Sequence, residues 1–206
     1  MPQAAGVPRP PGYAGCASAH GRDDGEVRRV SVVGNSGSGK TTLGRNLAAA
    51  LGVPFLELDA VFHQPGWTEL PTDEFRAAVG EVVAGDGWVV DGNYSRVRDL
   101  VWDRADTVVW LDLPRWRNMR QLIGRTLRRG VTRQELWNGN RESLRNFVRR
   151  DPEESLVVWA YTNHAKYRDR YAALSADPAH TRLRFVRLRS PAEVRAFLAG
   201  AATTTT

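Results

Sequence analysis

The sequence predicts an α/β fold, a parallel sheet of five strands with helices on both faces. Three observations carry that prediction. Short apolar runs alternate with stretches of helical periodicity along most of the chain, the pattern of strands joined by helical crossovers. Runs such as "RRVSVV" (28–33) read as buried strands, as expected when a parallel sheet is covered on both sides. The first run also leads directly into a glycine-rich loop and then a helix.

In chain order, "RRVSVV" is the first strand. A helix follows from Thr42 to Leu51, with Leu43, Leu47 and Leu51 four residues apart. "PFLELD" (54–59) is the second strand and ends on Asp59. A loop with Pro65, Gly66 and Pro71 precedes a helix from about Thr72 to Ala84, opening with "TDEF". "GWVVDG" (87–92) is the third strand, and "DTVVWLDLP" (106–114), stopped by Pro114, is the fourth. A long helix over 152–175 places Leu156, Trp159, Ala160, Tyr167, Tyr171 and Leu174 near one face, which suits core packing over the sheet. "RLRFVRLR" (182–189) makes the fifth strand, and a short helix from Pro191 to Leu198 closes a domain spanning 27–200. Residues 1–26, rich in Pro, Gly and Ala without apolar periodicity, read as a disordered or irregular arm. The end at 201–206, with "TTTT", reads as an unstructured tail.

The 206 residues suffice for one ordinary domain with a real core. Hydrophobic content of 42% and charged content of 25% are those of a soluble globular protein. No stretch approaches the ~20 apolar residues of a membrane span, and the N-terminus lacks the apolar centre of a signal peptide. Cys16 is the only cysteine, so no intramolecular disulfide can form, and the cytoplasm is the expected compartment. The net charge of +6 comes from arginine, which supplies 27 of the 29 basic residues. The planar guanidinium fork suits phosphate, so nucleotides, nucleic acid or both are the expected partners.

Gly34-Asn35-Ser36-Gly37-Ser38-Gly39-Lys40-Thr41 matches G-x-x-x-x-G-K-[ST] at every fixed position, between a strand and a helix. Its glycines let successive backbone N–H groups turn inward around an anion. The helix that follows, with Thr42 in its first turn, adds its positive N-terminal end. Lys40 is placed to reach the β- and γ-phosphates, and the Thr41 hydroxyl to coordinate Mg²⁺. The loop therefore holds a nucleoside triphosphate. The magnesium needs a second anchor at a strand's carboxyl end, where ligands bind in open α/β sheets. Asp91 and Asp112 both occupy such ends. Asp91 is preferred, because Gly92 permits a tight turn off the sheet. The histidines at 20, 63, 164 and 180 are too scattered in sequence to suggest zinc.

The Walker loop, "LD" (58–59), "DGNY" (91–94) and "WLDLP" (110–114) together resemble the adenylate-kinase-like group of nucleoside kinases. With "HQPGW" (63–67) and "ELWNGNRESL" (135–144) they look most like its topology modulation branch. The resemblance covers residues 28 to 199. It implies a P-loop kinase core, ATP with Mg²⁺ as phosphoryl donor, and a mobile lid carrying arginines, here about 115–150. Asp91-Gly92 match the pair whose aspartate serves the magnesium site in adenylate kinases. Those enzymes continue with Phe-Pro-Arg, whereas Asn93, Tyr94 and Ser95 follow here, with Arg96 and Arg98 one turn on. This departure leaves the acceptor open.

The helix from Arg115 to Arg129 puts Trp116, Met119, Leu122, Ile123, Thr126 and Leu127 on one face. Arg117, Arg120, Arg125, Arg128 and Arg129 occupy the opposite arc. Any one of these arginines reads as solvated surface. As a group at the lid hinge they suit the charge that spreads over a transferring phosphoryl group, with Arg125 and Arg129 preferred. Arg141, in the polar turn "NGNRE", is a second lid contribution. Asp59, His63, Trp67, Asn93 and Tyr94 are the candidate acceptor contacts, on loops after the second and third strands. Asp59 would orient the acceptor hydroxyl or take its proton.

The reading that results is an ATP-dependent kinase for a nucleotide or other small acceptor, monomeric or homodimeric. A DNA-associated regulator that uses nucleotide as a switch is the alternative. No helix-turn-helix, zinc-finger or RNP signature supports it, so nucleic acid has no motif behind it. A GTPase lacks its guanine-reading N-K-x-D.

Overall fold

A computed structural model of the chain describes residues 27–132, 135–140 and 156–203. The expected arm at 1–26, Arg141 and most of the lid beyond Thr132 lie outside those residues. Five parallel strands form the centre: β1 (Arg29–Gly34), β2 (Phe55–Glu57), β5 (Trp88–Asp91), β6 (Thr107–Leu111) and β7 (Arg184–Leu188). They stand in the order β2-β5-β1-β6-β7. A two-stranded antiparallel ribbon, β3 (His63–Gln64) and β4 (Thr68–Glu69), lies apart from the sheet.

Strand β1 sits in the middle because its residues are apolar on both sides. Val30 and Val32 face one cluster, with Leu43, Leu47 and Leu51 of α1 (Lys40–Leu51) and Phe197 of α7 (Pro191–Thr203). Val33 faces the other, with helices α3 (Thr72–Val83), α4 (Ser95–Trp102) and α6 (Leu156–Ala176). Phe75, Val79, Val97, Trp102 and Tyr171 fill that second layer. Trp88, Phe75 and Leu47 are completely buried; each such side chain contributes on the order of 2 kcal/mol through burial.

Several elements differ from the sequence expectation, each for a physical reason. β2 ends at Glu57, and Leu58–Phe62 form a short helix, α2, so Asp59 lies in a helical first turn rather than at a strand end. The chain turns there because Glu57, paired with Asp91, already stands at the sheet's carboxyl edge. Leu58 is buried so closely on Gly92 that a Cβ there would come within 2.8 Å of it. The loop after α2 contains the ribbon and a 3-10 turn at Pro65–Trp67. Helix α4 was not expected; its apolar signal is Val97 and Val101, four apart, followed by Trp102, whose Nε1 donates to Ser31 Oγ at 3.2 Å. Residues 201–203, expected in the tail, extend α7, because Ala201 still packs on the core beside Leu198.

The largest difference concerns α5 (Arg115–Thr132). Its expected apolar face is split: Leu122 and Thr126 are buried, whereas Trp116 is 63% exposed and Leu127 is exposed as well. Asn118 is buried in their place. The helix seats on Gly37, where an added Cβ would collide with the Asn118 carbonyl and lie 2.9 Å from Leu122 Cβ. That contact sets the helix's rotation, and with it the direction of the arginine arc.

Candidate active site

The glycine-rich loop connects the carboxyl end of β1, the central strand, to the first turn of α1. Gly34, Gly37 and Gly39 all have positive φ, a conformation glycine adopts without the cost a Cβ imposes. The loop is held from three sides. Asn35 Nδ2 donates to the Ala160 carbonyl of α6 at 2.9 Å, while its Oδ1 accepts from the Ser36 N–H at 2.8 Å. Asn93 grips Gly34 with both amide atoms: Gly34 N–H donates to Oδ1 at 3.1 Å, and Nδ2 donates to the Gly34 carbonyl at 2.6 Å. Tyr171 of α6 donates its hydroxyl to the same Oδ1 at 3.1 Å. Gly37 rests on α5.

Lys40 Nζ donates to the Asn35 carbonyl at 3.1 Å. Burial lowers its pKa from the ordinary range; Asp91 and Asp59 oppose that shift, and Arg125 adds to it. The charges of Asp91, Asp59 and Arg125 thus all act on Lys40.

The Thr41 hydroxyl donates to Asp91 Oδ2 at 2.6 Å and lies 3.3 Å from Glu57 Oε1. Asp91 is only 4% exposed, and its Oδ1 is buried with no hydrogen-bond partner. Burial pushes its carboxyl up to about 6, against the pull of Lys40 and the Thr41 hydrogen bond. A hydroxyl and a carboxylate with an unsatisfied buried oxygen fit a hard divalent cation. Magnesium in nucleotide sites takes one or two carboxylates and completes its shell with water and phosphate. Among the described residues no cluster of three or more His, Cys, Asp or Glu side chains is placed to hold a metal; the cation that fits would arrive with its nucleotide. Glu57, beside the Thr41–Asp91 pair, is a neighbour that sequence reasoning missed. Its signal is its place at the end of β2, directly across from Asp91, and Arg45 pairs with it at 3.0 Å. Asp112, the other metal candidate, accepts from Arg187 at 2.6 and 3.0 Å and pairs with Arg168 at 3.4 Å. It ties β6 to β7 and α6.

The expected acceptor residues Asp59, His63, Trp67 and Tyr94 line the same cavity as Lys40. Tyr94 donates its hydroxyl to Asp59 Oδ1 at 2.7 Å, and His63 Nε2 lies 3.4 Å from the same hydroxyl. Burial, then the Asp59 charge, hold the Tyr94 phenol above its ordinary pKa, so it remains a donor. The His63 ring packs edge-on to Trp67 at 5.4 Å and stacks against Trp137 at 6.2 Å. Asn93 also lines this cavity, but its amide is spent on Gly34, so it supports the loop instead of reaching an acceptor. Sequence reasoning also missed Trp137, Asn138 and Asn140. Asn138 Nδ2 donates to the Ala60 and His63 carbonyls at 3.1 and 2.6 Å. Asn140 donates to the Gln64 carbonyl at 2.9 Å and accepts from Trp67 N–H at 3.0 Å. These two asparagines clamp the segment to the β3–β4 ribbon.

One cavity of about 1530 Å³ joins the two halves, from the glycine-rich loop to Asp59, His63 and Trp67. Its size exceeds a usual single-ligand pocket of ~300–1,000 Å³, so a nucleotide and a second molecule fit together. Arg117, Arg125, Arg128 and Arg129 of α5 line it. The rotation set at Gly37 thus turns most of the arginine arc inward, Arg120 lying instead beside Trp116 on the outer side.

Among the described residues no helix is long and apolar enough to cross a membrane. A family model for shikimate kinase matches residues 36–81. A shikimate kinase of Mycobacterium avium (strain 104) is 36% identical over 116 residues, 48% of this chain and 65% of that protein. The chain thus spans slightly under two thirds of that relative's length. A shikimate kinase 2 of Yersinia enterocolitica is 37% identical over 62 residues, 30% of each chain. Among solved structures, shikimate kinase from Acinetobacter baumannii in complex with shikimate superposes with a TM-score of 0.53 at 16% identity, over 86% of this chain and 92% of that one. The five-stranded parallel sheet with its covering helices is therefore the fold of a P-loop kinase.

Proposed function

We propose that this chain is an ATP-dependent phosphotransferase, moving the γ-phosphoryl group of ATP to a hydroxyl of a small molecule. The observation that carries this reading is the cavity that Lys40, the hydrogen-bonded Thr41–Asp91 pair and Asp59 line together. The matches to shikimate kinases support it, and of the two acceptor classes left open by the sequence, a nucleotide or another small molecule, they favour the second.

In this reading Gly34 to Thr42 wrap the triphosphate with backbone N–H groups, and Lys40 bears on its β- and γ-oxygens. Thr41 and Asp91, with Glu57 beside them, would hold magnesium, which when bound neutralises charge on those oxygens. Asp59, fixed by Tyr94, orients the acceptor hydroxyl and takes its proton as the new oxygen–phosphorus bond forms. The bond between the γ-phosphorus and the β,γ-bridging oxygen breaks, and ADP leaves with that oxygen. Arg125 and Arg129 offset the charge on the transferring group.

The test is ADP release by the full chain with ATP and magnesium, with shikimate, gluconate and other hydroxyl compounds each offered as acceptor. Acceptor-dependent release that Lys40→Ala abolishes is the expected result. ATP binding with no release above hydrolysis for any acceptor would overturn the reading.

A further inference from the structure

Helix α1 and strand β2 approach closely at Gly44, where an added Cβ would lie 2.6 Å from the Phe55 ring. Side chains two apart on a strand share a face, so Phe55 and Glu57 both turn toward α1. Thr41 and Arg45, four apart on the helix, share a face as well. Glu57 is thereby held between them. Its Oε1 lies 3.3 Å from Thr41 Oγ1, and its Oε2 accepts from Arg45 Nη2 at 3.0 Å. The Arg45 guanidinium also lies over the Phe55 ring, 5.8 Å from its centre.

The two ends of the Glu57 carboxylate are held differently. A hydroxyl has one proton to give, and Asp91 Oδ2 takes that of Thr41 at 2.6 Å. Glu57 Oε1 therefore faces the Thr41 oxygen with no proton between them. The Thr41 hydroxyl thus has two carboxylates beside it, and Asp91 keeps an Oδ1 that is buried with no hydrogen-bond partner. Oxygen donors of this kind suit a hard divalent cation. The charge of Glu57 also acts on both Asp91 and Lys40. At the other end, the Glu57 side chain is 11% exposed and that of Arg45 is 64% exposed. The carboxylate is fixed in the wall of the cavity, whereas the guanidinium can leave for water at little cost.

We propose that Arg45 stands in for the cation. It neutralises Glu57 when no nucleotide is bound and releases it when magnesium arrives with ATP. Glu57 then serves as the second carboxylate beside Asp91, and Arg45, by competing for it, sets how tightly the cation is held. The proposal rests on the nucleotide and magnesium half of the phosphotransferase reading and is independent of the acceptor.

The experiment measures equilibrium binding of the β,γ-imido analogue of ATP to the full chain, once with magnesium and once with EDTA. The ratio of the two affinities reports the coupling between cation and nucleotide, so a contact of Arg45 with the nucleotide itself cancels. Glu57→Gln is expected to lower the ratio about tenfold, because affinity follows the charge of the ligands. Arg45→Gln is expected to raise it about two- to fivefold, the scale of a part-exposed ion pair. Arg45→Lys, which keeps the charge, stays near the wild type. The double variant Glu57→Gln, Arg45→Gln matches Glu57→Gln alone, because Arg45 acts through Glu57. A lower or unchanged ratio in Arg45→Gln, or a double variant in which the two effects add, overturns the proposal and leaves the magnesium site standing. A wild type that binds the analogue equally in magnesium and in EDTA overturns the magnesium site, and the proposal with it.

Discussion

Asn93 holds Gly34 by both atoms of its side-chain amide, at 3.1 and 2.6 Å. The third residue of "DGNY" thereby becomes a strut for the first residue of the glycine-rich loop, across 59 positions of sequence. Truncating it leaves Gly34 without two partners, at about 1–3 kcal/mol for a part-buried site. Asn93→Ala is expected to raise the KM for ATP about tenfold or more with a smaller change in kcat. Tyr171→Phe, which removes one bond to the same oxygen, should do less. Steady-state kinetics with ATP varied would separate a loop strut from an acceptor contact, because the latter would move the acceptor's KM instead.

Asp59→Asn keeps the shape of the side chain and its contact with Tyr94 but removes the proton acceptor. General-base catalysis contributes roughly 10²–10⁴-fold, so kcat should fall by that order while ATP affinity stays. Equal loss of ATP binding would place Asp59 in the nucleotide half.

The buried Asp91 carboxyl has its pKa raised to about 6, mainly by burial. An acid whose folded pKa lies above its unfolded value binds protons more tightly in the native state. In metal-free protein its contribution to stability therefore grows as pH falls from about 6 toward 4 and is lost as pH rises through the same window. Thermal unfolding in EDTA, compared with Asp91→Asn, should show the wild type losing up to about 3 kcal/mol relative to the variant across that rise. Parallel pH profiles for the two proteins would count against a buried, raised Asp91.

Gly37→Ala places a methyl against the Asn118 carbonyl and Leu122 at a positive φ of 78°. Overpacking of this kind costs about 1–3 kcal/mol, so the melting temperature should fall by several degrees. The rotation of α5 should be disturbed as well, and transfer should suffer more than binding of ATP. An unchanged melting temperature would show that α5 yields freely.

Much of this architecture was legible in the sequence because it depends on local patterns. The buried runs at 29–34, 88–91 and 107–111 and the loop between β1 and α1 follow from residue type and order. Asp91 was preferred over Asp112 on the strength of Gly92, and the two carboxylates have different partners: Thr41 for Asp91, Arg187 and Arg168 for Asp112. What was illegible depends on contacts between distant segments. The outward turn of Trp116 follows from Gly37, some 80 residues earlier, and no periodicity within α5 encodes it. Glu57 gains its place from strand register, and Asn138 and Asn140 act through backbone carbonyls of residues 60–64, which leave no mark in composition.

Helix α6 joins the glycine-rich loop to the wall of the cavity. Its Ala160 carbonyl and Tyr171 hydroxyl brace that loop, through Asn35 and Asn93, and its Trp159 lines the same cavity. A change to the cavity made along α6 is therefore not separable from the hold on the nucleotide loop, for an engineer or for evolution. Substitutions along α6 made to admit a new acceptor would share a hydrogen-bonded framework with the nucleotide loop, and effects within one framework do not add. A retuned acceptor pocket would need compensating changes at Asn35 or Asn93 to keep its hold on ATP.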